Sequence, residues 1–333
     1  MKAAVYERYG PPEAVVRIAE VERPVPGDDQ LLVRVRAASV NPMDVHPMRG
    51  KPAIARLAFG LRRPKMTRPG VDVAGIVEAV GRNVTRFTPG DAVFGACRGS
   101  MAEYACADEA RLAAKPAALS FEQAAALPVA GLTALQALRD KGGVGPGRRV
   151  LVVGAGGGIG TFAVQIARAL GAEATAVCST GKVELVRSLG ADPAIDYTQE
   201  DCTRGDARYD VILDLAGSRS FGTWRRVLAP NGILLPAGLA GGGGAPRTGW
   251  LLRCVVRQLF GFLRSRFTTQ KLVFVMAKVD AEDLAELARL VAAGQVAPVI
   301  DRRYRLEDAA AAIAYFARGH ASGKVVIAMD TET

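Results

Sequence analysis

Histidine and cysteine are scarce in this chain of 333 residues, which contains two histidines and five cysteines. The cysteines are odd in number and scattered, and no two of them form a Cys-x-x-Cys pair; they are Cys97, Cys106, Cys178, Cys202 and Cys254. This pattern excludes a disulfide framework and the usual structural zinc site. We therefore predict small thiols that are buried or lie singly at the surface.

Long hydrophobic runs are also missing. No apolar stretch reaches the roughly 18 to 20 residues that span a bilayer, and Met1–Ala4 leads into a strand pattern instead of a signal peptide. Half of the residues are hydrophobic, which is enough for the cores of two domains. The sequence therefore predicts a cytoplasmic protein of two domains.

Acidic residues are absent from two long segments, while the whole chain has a net charge of +10. Residues 49–68 and residues 241–279 each contain seven lysines or arginines and no acid. The basic character is therefore local. Because neither segment matches a base-reading motif, we do not expect nucleic acid as a partner.

Part of the second basic segment has the pattern of a helix. Trp250–Phe267 interleaves aromatic and aliphatic residues with Arg253, Arg257 and Arg264, whose spacings of four and seven place them roughly on one helical face. One interpretation is a lid, or a helix in weak contact with an anionic membrane surface. The other is an amphipathic helix that covers a cleft or a dimer seam and exposes a basic stripe.

What the chain does contain is a glycine-rich turn between a strand and a helix. The apolar run Val150–Val153 leads into the pattern Ala155-x-Gly157-x-x-Gly160, and the helix-like run Thr161–Leu170 follows. Such a turn directs backbone N–H groups and the positive end of the helix at one point, where a pyrophosphate fits. The candidate cofactor-binding residues of this turn are Ala155, Gly156, Gly157, Gly158, Ile159 and Gly160.

The next strand, Glu173–Cys178, predicts which dinucleotide binds. In NAD-binding units this strand usually ends in an acid that binds the ribose 2′-hydroxyl, but here Ser179 and Lys182 follow it. A hydroxyl and a lysine suit a 2′-phosphate, which a carboxylate would repel. We therefore predict NADP(H) as the cofactor. The alternative for Lys182 is a solvated lysine at the start of the next helix.

The order of the predicted elements indicates two domains. Short strands separated by glycine and proline extend over residues 1–122 and predict a mostly β domain. Strands alternate with helices over residues 123–278, which predicts a doubly wound parallel sheet. Residues 279–333 are expected to return to the first domain. They are predicted to form the helix Ala281–Ala293, the strand Val299–Tyr304, the helix Leu306–Ala317 and the strand Lys324–Ala328.

Several motifs in this order resemble the medium-chain dehydrogenase/reductase superfamily, and within it the zinc-independent quinone oxidoreductase-like branch. The motifs are Ala38–Asp44, Gly70–Gly75, Pro89–Gly95, Ala102–Tyr104, Ala126–Ala134, Ala155–Gly160, Leu189–Asp192, Asp196–Tyr197 and Gly323–Val326. The resemblance implies an α/β protein with a GroES-like, mostly β catalytic domain and a Rossmann domain, and with the nicotinamide between them. It also suggests a homodimer that forms through Rossmann sheet edges.

The resemblance also bears on zinc, because other branches of the superfamily bind a catalytic zinc ion. Their ligand segments correspond here to Asn41–Asp44, Gly70–Asp72 and Val129–Gly131, and no complete ligand set is present. Zinc needs three protein ligands, so we expect no metal. Without a Lewis acid, simple alcohols are difficult to oxidise, whereas a quinone or a conjugated enone delocalises the charge of an incoming hydride.

The same resemblance suggests site residues. Asp44 and His46 lie where zinc dehydrogenases have a polar relay, and His46 is a candidate proton donor; it is equally compatible with a histidine packed at a loop start. Asn41 resembles an asparagine that faces the substrate, so its amide is a candidate hydrogen-bond donor to the acceptor oxygen. The alternative for Asn41 is a turn residue before a proline.

Further candidate cofactor contacts lie at the ends of elements. Thr133 resembles the family's nicotinamide contact, and Tyr197 ends a strand that borders the adenosine phosphate in similar reductases. Leu215 and Gly238 follow later strands, where open α/β sheets bind ligands. Each of these residues is also compatible with ordinary loop structure.

Together these features predict an NADPH-dependent, zinc-independent reductase of quinones or α,β-unsaturated carbonyls that acts by direct hydride transfer. Two alternatives stay open. One is a metal-free alcohol or aldehyde oxidoreductase. The other is an NADPH-binding regulatory protein with little turnover.

Overall fold

The computed structural model describes residues 1–50, 56–217, 219–237, 261–263 and 265–329. The strands are β1 (Lys2–Val5), β2 (Arg17–Glu20), β3 (Gln30–Ser39), β4 (Asp72–Val80), β5 (Ala92–Ala96), β6 (Tyr104–Asp108), β7 (Leu112–Ala114), β8 (Arg149–Val153), β9 (Glu173–Cys178), β10 (Ala194–Asp196), β11 (Tyr209–Asp214), β12 (Leu228–Pro236), β13 (Lys271–Leu272), β14 (Ile300–Arg305) and β15 (Lys324–Ala328). The helices are α1 (Pro12–Val15), α2 (Pro42–Arg49), α3 (Arg56–Phe59), α4 (Phe121–Ala125), α5 (Pro128–Leu135), α6 (Gly158–Ala169), α7 (Val183–Ser188), α8 (Phe221–Trp224), α9 (Ala281–Ala292) and α10 (Ala309–Ala317).

The chain divides into two compact units. The first consists of Met1–Val129, Val279–Ala292 and Pro298–Thr333, and the second of Ala130–Lys278 and Ala293–Ala297. The residues of each unit pack mainly against other residues of the same unit. The functional domain limits that the sequence suggests, residues 1–122, 123–278 and 279–333, stay a prediction.

The first unit is built on a seven-stranded sheet with the order β14-β15-β3-β4-β5-β7, and β6 pairs with β3. Strand β3 is central to this sheet because it pairs with three strands, β4, β6 and β15, all antiparallel to it. Its apolar residues Leu31, Val33 and Val35 are buried in one core cluster with Val325 and Ile327 of β15. The last strand of the chain therefore packs beside one of the first.

The second unit contains a six-stranded sheet with the order β10-β9-β8-β11-β12-β13, in which every described pair is parallel. Parallel neighbours require crossover connections, and α6 connects β8 to β9. Leu151, Ile212 and Trp224 are among its fully buried core residues. This sheet confirms the predicted doubly wound architecture, in which ligands bind at the carboxyl ends of the strands.

Most predicted elements of the C-terminal segment lie within a few residues of the observed ones, but the edge strand of the second unit does not. The sequence predicts a strand over Leu272–Met276, whereas only Lys271 and Leu272 pair with β12. Residues 271–278 nevertheless alternate between more and less exposed side chains. The predicted strand is therefore observed only at Leu272, and the residues after it belong to no strand, although their exposure alternates. Among the described residues, none of the helices has the length and hydropathy of a bilayer-crossing segment.

Candidate functional site

The glycine-rich turn lies at the carboxyl end of β8, in the second unit. Gly154 has a φ of +84°, which permits the sharp turn away from the strand. A Cβ on Gly160 would lie 2.3 Å from the carbonyl oxygen of Gly154 and 2.6 Å from the carbonyl carbon of Ala155. The first turn of α6 therefore packs directly on the preceding backbone and leaves no room for a side chain.

This packing places the start of α6 at the strand end. The helix has 12 residues, begins at Gly158 and is preceded by Gly157 as its N-cap. Gly157, Gly158 and Ile159 are partly exposed, while Ala155, Gly156 and Gly160 are buried. The N-terminal N–H groups of a helix have no partners within it and carry partial positive charge. The turn therefore presents anion-binding groups to its surroundings.

Lys182 lies against this turn, although it is 26 residues from Gly156 in the sequence. A Cβ on Gly156 would lie 2.5 Å from Cδ of Lys182 and 2.9 Å from its Cβ. The aliphatic part of the lysine thus covers the glycine, and the side chain is half-buried. The structure places the aliphatic part of Lys182 against the turn that precedes α6, while the role of Lys182 toward a 2′-phosphate stays a prediction.

The loops after β9 and β10 lie next to each other. Ser179 is partly buried and precedes the short turn Thr180–Lys182. The Tyr197 side chain is 59% exposed, and its backbone N–H donates to the carbonyl of Cys178 at 3.0 Å. The structure therefore places Ser179, Lys182 and Tyr197 on neighbouring loops at the same end of the sheet.

Asp196 lies in this region and is not among the site residues predicted from the sequence. It ends β10, opposite Cys178 of β9, and is only 8% exposed. The hydroxyl of Thr180 donates to its carboxylate at 2.6 Å. This bond, followed by bonds from Thr198 and Gln199, holds the pKa of Asp196 below its ordinary value. The motif Asp196–Tyr197 was the only sequence signal for it.

The loop after β11 is held by a second buried carboxylate. Asp214 is 1% exposed and accepts hydrogen bonds from the N–H groups of Ala216, at 3.1 Å, and Gly217, at 2.8 Å. Leu215 lies beside the glycine-rich turn, because a Cβ on Gly154 would be 3.4 Å from its Cβ. The predicted contact of Leu215 with a cofactor stays a prediction.

Two further predicted cofactor contacts are Thr133 and Gly238. Thr133 lies in α5 and is 9% exposed. Gly238 lies outside the described residues. Their predicted contacts with a cofactor stay predictions.

In the first unit, four buried polar residues form one hydrogen-bonded network. Oδ2 of Asp72 accepts hydrogen bonds from Ser39 Oγ at 2.6 Å, from Asn41 Nδ2 at 2.8 Å and from Lys324 Nζ at 3.2 Å. Lys324 Nζ also donates to Oδ1 of Asn41 at 2.7 Å. The other oxygen of Asp72 accepts from the backbone N–H of Val129 at 3.0 Å. Each polar end of the Asn41 amide is therefore occupied inside the protein.

This arrangement bears on the predicted role of Asn41. Its amide is 2% exposed, and its oxygen and nitrogen are engaged by Lys324 and Asp72. A hydrogen bond from this amide to a substrate would require that the buried network opens. The contacts give Asn41 a positioning function at the start of α2, and direct contact with an acceptor stays a prediction.

Asp44 is bound to the same region by backbone groups. Its carboxylate accepts from the N–H of Asn41 at 2.7 Å and from the N–H of Gly70 at 2.7 Å. The pKa of Asp44 is raised to about 7: burial and, to a lesser extent, the negative charge of Asp72 raise it, while the two hydrogen bonds and Lys324 oppose the shift. Asp44 therefore changes its protonation state close to neutral pH.

His46 is the outward-facing member of the predicted catalytic set. It lies on α2, two residues after Asp44, and its side chain is exposed. Partial desolvation of the ring, assisted by the positive charge of Arg49, lowers its pKa from the ordinary value. The imidazole is therefore neutral at pH 7 and carries one N–H that can act as a donor.

Asp72 and Lys324 are also absent from the site residues predicted from the sequence. They belong to the motifs Gly70–Gly75 and Gly323–Val326, but no local pattern shows that two residues 252 positions apart form an ion pair. Lys324 is a lysine in an otherwise apolar final strand, and its side chain is only 3% exposed. Buried lysines are rare unless they are paired, which is the signal that was available.

The donor groups of this unit do not fit a zinc ion. Across the described ranges of the chain, no three His, Cys, Asp or Glu side chains come together. The carboxylates of Asp44 and Asp72 are already occupied by backbone N–H groups, Asn41 and Lys324. The described part of the chain therefore offers no set of donors that fits a zinc ion.

Comparisons with known proteins agree with this architecture. Residues 27–117 match the family model described as "Alcohol dehydrogenase GroES-like domain", and residues 189–327 match "Zinc-binding dehydrogenase". The first match confirms the predicted GroES-like fold of the first unit. The name of the second describes a family that includes zinc enzymes, whose ligand set has no counterpart among the described residues.

Similar proteins extend over nearly the whole chain. A quinone-oxidoreductase, QR1, of Triphysaria versicolor is 31% identical over 98% of this chain and 98% of its own length. An NADPH-dependent alkenal/one oxidoreductase of Arabidopsis thaliana is 32% identical over 98% of this chain and 79% of its own. The crystal structure of an NAD-dependent alcohol dehydrogenase is 30% identical, with a TM-score of 0.82 over 99% of this chain and 100% of that one. From these matches, the chain belongs to the medium-chain dehydrogenase/reductase superfamily, in its quinone oxidoreductase-like branch.

Proposed function

We propose that this protein is an NADPH-dependent reductase of quinones or α,β-unsaturated carbonyls. The observation that carries the proposal is the glycine-rich turn at the start of α6, with Lys182 lying against Gly156. This combination suits a dinucleotide with a 2′-phosphate. The names of the quinone oxidoreductase and alkenal/one oxidoreductase relatives support the same class of reaction.

The residues of the second unit fit the cofactor. The turn from Ala155 to Gly160 would hold the pyrophosphate, because it leads into the N-terminus of α6 and four of its six residues are glycines without side chains. Lys182 and Ser179 bind the 2′-phosphate, and the loop at Leu215 adjoins the turn. When bound, NADPH supplies a hydride. Thr133, Tyr197 and Gly238 complete the proposed cofactor contacts.

The residues of the first unit prepare the acceptor side. Lys324 and Asp72 hold the side-chain amide of Asn41. The backbone N–H of Asn41 donates to the carboxylate of Asp44 at the start of α2. This support fixes the helix that carries His46. The imidazole of His46 relays a proton: its N–H proton passes to the reduced oxygen of the acceptor while its other ring nitrogen takes a proton from water, so the ring stays neutral. No group here needs a metal ion, because a quinone or enone delocalises the added charge onto its own oxygen.

A panel of acceptors tests the proposal. The purified protein is mixed with NADPH and a quinone, an enone or an aldehyde, and the absorbance of the reduced nicotinamide is followed. Loss of absorbance with the quinone or the enone is the expected result. Tight binding of NADPH without oxidation by any acceptor would contradict the proposal and favour the regulatory alternative.

A second candidate is a metal-free alcohol or aldehyde oxidoreductase. It is favoured by the 30% identity to the crystal structure of an NAD-dependent alcohol dehydrogenase. Oxidation of NADPH by the aldehyde alone, without turnover of the quinone or the enone, identifies this candidate.

We also propose a homodimer that forms through the edge of the parallel sheet. Strand β13 lies at the edge of this sheet, and the side chains of Phe274 and Met276, which follow it, are 47% and 87% exposed. An exposed sheet edge with apolar side chains is suited to pairing with another chain. Sedimentation of the wild-type protein and of Met276→Asp tests this state; a monomeric wild type would contradict it.

The proposed location is the cytoplasm. The proposed weak contact with an anionic membrane surface involves residues 250–267, most of which lie outside the described residues. Co-sedimentation of the protein with anionic vesicles at low salt tests this contact, and recovery of all protein in the supernatant would contradict it.

A further inference from the structure

Asp196 connects two loops at the carboxyl end of the parallel sheet. Its Oδ2 atom accepts hydrogen bonds from Thr180 Oγ1 at 2.6 Å and from Gln199 Nε2 at 3.0 Å. Its Oδ1 atom accepts from the backbone N–H of Thr198 at 2.9 Å and from its hydroxyl at 2.8 Å. Four donors therefore surround one carboxylate. Thr180 comes from the loop after β9, whereas Thr198 and Gln199 follow β10.

Thr180 is the link from this carboxylate to the glycine-rich turn. It is the first residue of the single turn Thr180–Lys182, and the N–H of Lys182 donates to the carbonyl of Ser179 at 2.9 Å. Lys182 then lies against Gly156. Because this turn is only three residues long, the position of Thr180 determines where the backbone of Lys182 lies.

The carboxylate itself is an unexpected neighbour for a site that binds a phosphate. Like charges repel, and the prediction of NADP(H) rests on the absence of an acid at the end of β9. The charge of Asp196 is, however, directed at donors of its own two loops. Its hydrogen bonds keep it ionised at neutral pH, so the bond from Thr180 is charge-assisted and stronger than a neutral one.

We propose that Thr180 and Asp196 are positioning residues for cofactor selection: their hydrogen bond fixes the turn that places Lys182 and thereby favours NADP(H) over NAD(H). The proposal rests on the proposed cofactor. Neither residue needs to touch the cofactor for this effect. NAD(H) lacks the 2′-phosphate, so its affinity should not depend on where Lys182 lies.

The test measures binding, not activity. The dissociation constants of NADP⁺ and NAD⁺ are determined by calorimetry for the wild type and for Thr180→Val, which keeps the shape and every charge but removes the hydroxyl. We expect Thr180→Val to weaken NADP⁺ about tenfold, the effect of losing one hydrogen bond to a charged group, and to leave NAD⁺ unchanged within about twofold. Thr180→Ser should restore NADP⁺ affinity.

A matched control comes from the same unit. The hydroxyl of Thr203 donates to Oδ1 of Asp201 at 2.9 Å, so Thr203→Val removes the same kind of bond at another loop. It should leave both dissociation constants unchanged. Equal weakening of NADP⁺ and NAD⁺ by Thr180→Val would instead show a general structural role and overturn the proposal.

Lys182→Ala separates this proposal from the proposed cofactor. If Lys182→Ala does not weaken NADP⁺, the assignment of Lys182 to the 2′-phosphate fails, and with it both the cofactor preference and this inference. If Lys182→Ala weakens NADP⁺ but Thr180→Val does not, only the positioning role fails. Because Thr180 acts through Lys182, the double variant should bind NADP⁺ as Lys182→Ala does. An additional loss in the double variant would contradict the proposal.

Asp196→Ala gives an independent outcome. Removal of the carboxylate frees Thr180, so NADP⁺ affinity should fall as it does in Thr180→Val. A rise in NADP⁺ affinity would mean that the charge of Asp196 repels the phosphate more than its hydrogen bond helps, and the positioning role would be wrong.

Discussion

Lys324 and Asp72 form a buried ion pair, with Nζ of the lysine 3.2 Å from Oδ2 of the aspartate and side-chain exposures of 3% and 0%. The pair joins the last strand of the chain to β4 and encloses the amide of Asn41. A charge in such a place is tolerated only while its partner is present. The ion pair is therefore a requirement of the first unit, whether or not it adds net stability.

Lys324→Met should lower the free energy of unfolding by about 3 to 5 kcal/mol, because it leaves the carboxylate of Asp72 buried without its cation. Urea denaturation measures the change. The double variant Asp72→Asn with Lys324→Met should be less unstable than Lys324→Met alone. The matched control is Arg82→Met, which breaks the exposed pair with Asp28 at 2.8 Å and should cost no more than about 1 kcal/mol. Equal losses in the two single variants would contradict the account.

Asp44 should make the stability depend on pH in the range below neutral. Its pKa is about 7 in the folded protein, against an ordinary value of 3.8, so the folded state binds the proton more tightly. The stability associated with the neutral carboxyl is therefore fully present below about pH 4 and is lost as the pH rises through about 7. Each pKa unit corresponds to about 1.4 kcal/mol.

Asp44→Asn tests this pH dependence, because an amide does not titrate. The free energy of unfolding of the wild type should fall relative to that of Asp44→Asn between about pH 4 and pH 7, and the difference should level off above that range. Chemical denaturation at a series of pH values gives both curves. Parallel curves over the whole range would mean that Asp44 titrates normally.

Gly160→Ala should destabilise the second unit and abolish dinucleotide binding. Its Cβ would lie 2.3 Å from a backbone oxygen, and backbone atoms can move away only if α6 moves. A cost of about 1 to 3 kcal/mol is typical of such overpacking. Gly145→Ala is the control, because nothing lies within 4 Å of its added Cβ. Normal NADPH binding by Gly160→Ala in a fluorescence titration would show that the turn is not the binding site.

His46→Gln should lower turnover several-fold without loss of NADPH affinity, because glutamine retains an N–H but does not transfer a proton. The pKa of His46 is lowered, so the wild-type rate should change only below pH 6.5 as the imidazole becomes charged. His320→Gln removes the other histidine of the chain and should leave the rate unchanged. Identical pH–rate profiles for the wild type and His46→Gln would remove His46 from the mechanism.

The sequence predicts those parts of the structure that depend on local patterns. The apolar run before Gly154 and the glycines after it define β8, the turn and α6, and the alternation of strands and helices indicates the parallel sheet. The helix Ala281–Ala292 is likewise within one residue of its expected end. Local signals suffice here because each element carries its own periodicity and its own breakers.

The contacts of the candidate site depend on residues that are far apart in the sequence. Lys324 contacts Asp72 and Asn41 only because β15 pairs with β3, and β3 with β4. The sequence selects Asn41 as a candidate hydrogen-bond donor to the acceptor but does not show that both ends of its amide are occupied. Asp196 is missed for the same reason, since its main partner, Thr180, belongs to another loop. Such pairings follow from the sheet order and not from spacing.

The central claim is that a hydride passes directly from NADPH to an electron-poor acceptor. It is tested most directly with NADPH that carries deuterium at C4, on the face that is transferred, and an enone in ordinary water, with mass spectrometry of the product. The account predicts one deuterium on the carbon β to the carbonyl and a solvent proton on the neighbouring carbon. A reduced product without deuterium from either face of the labelled cofactor would contradict it.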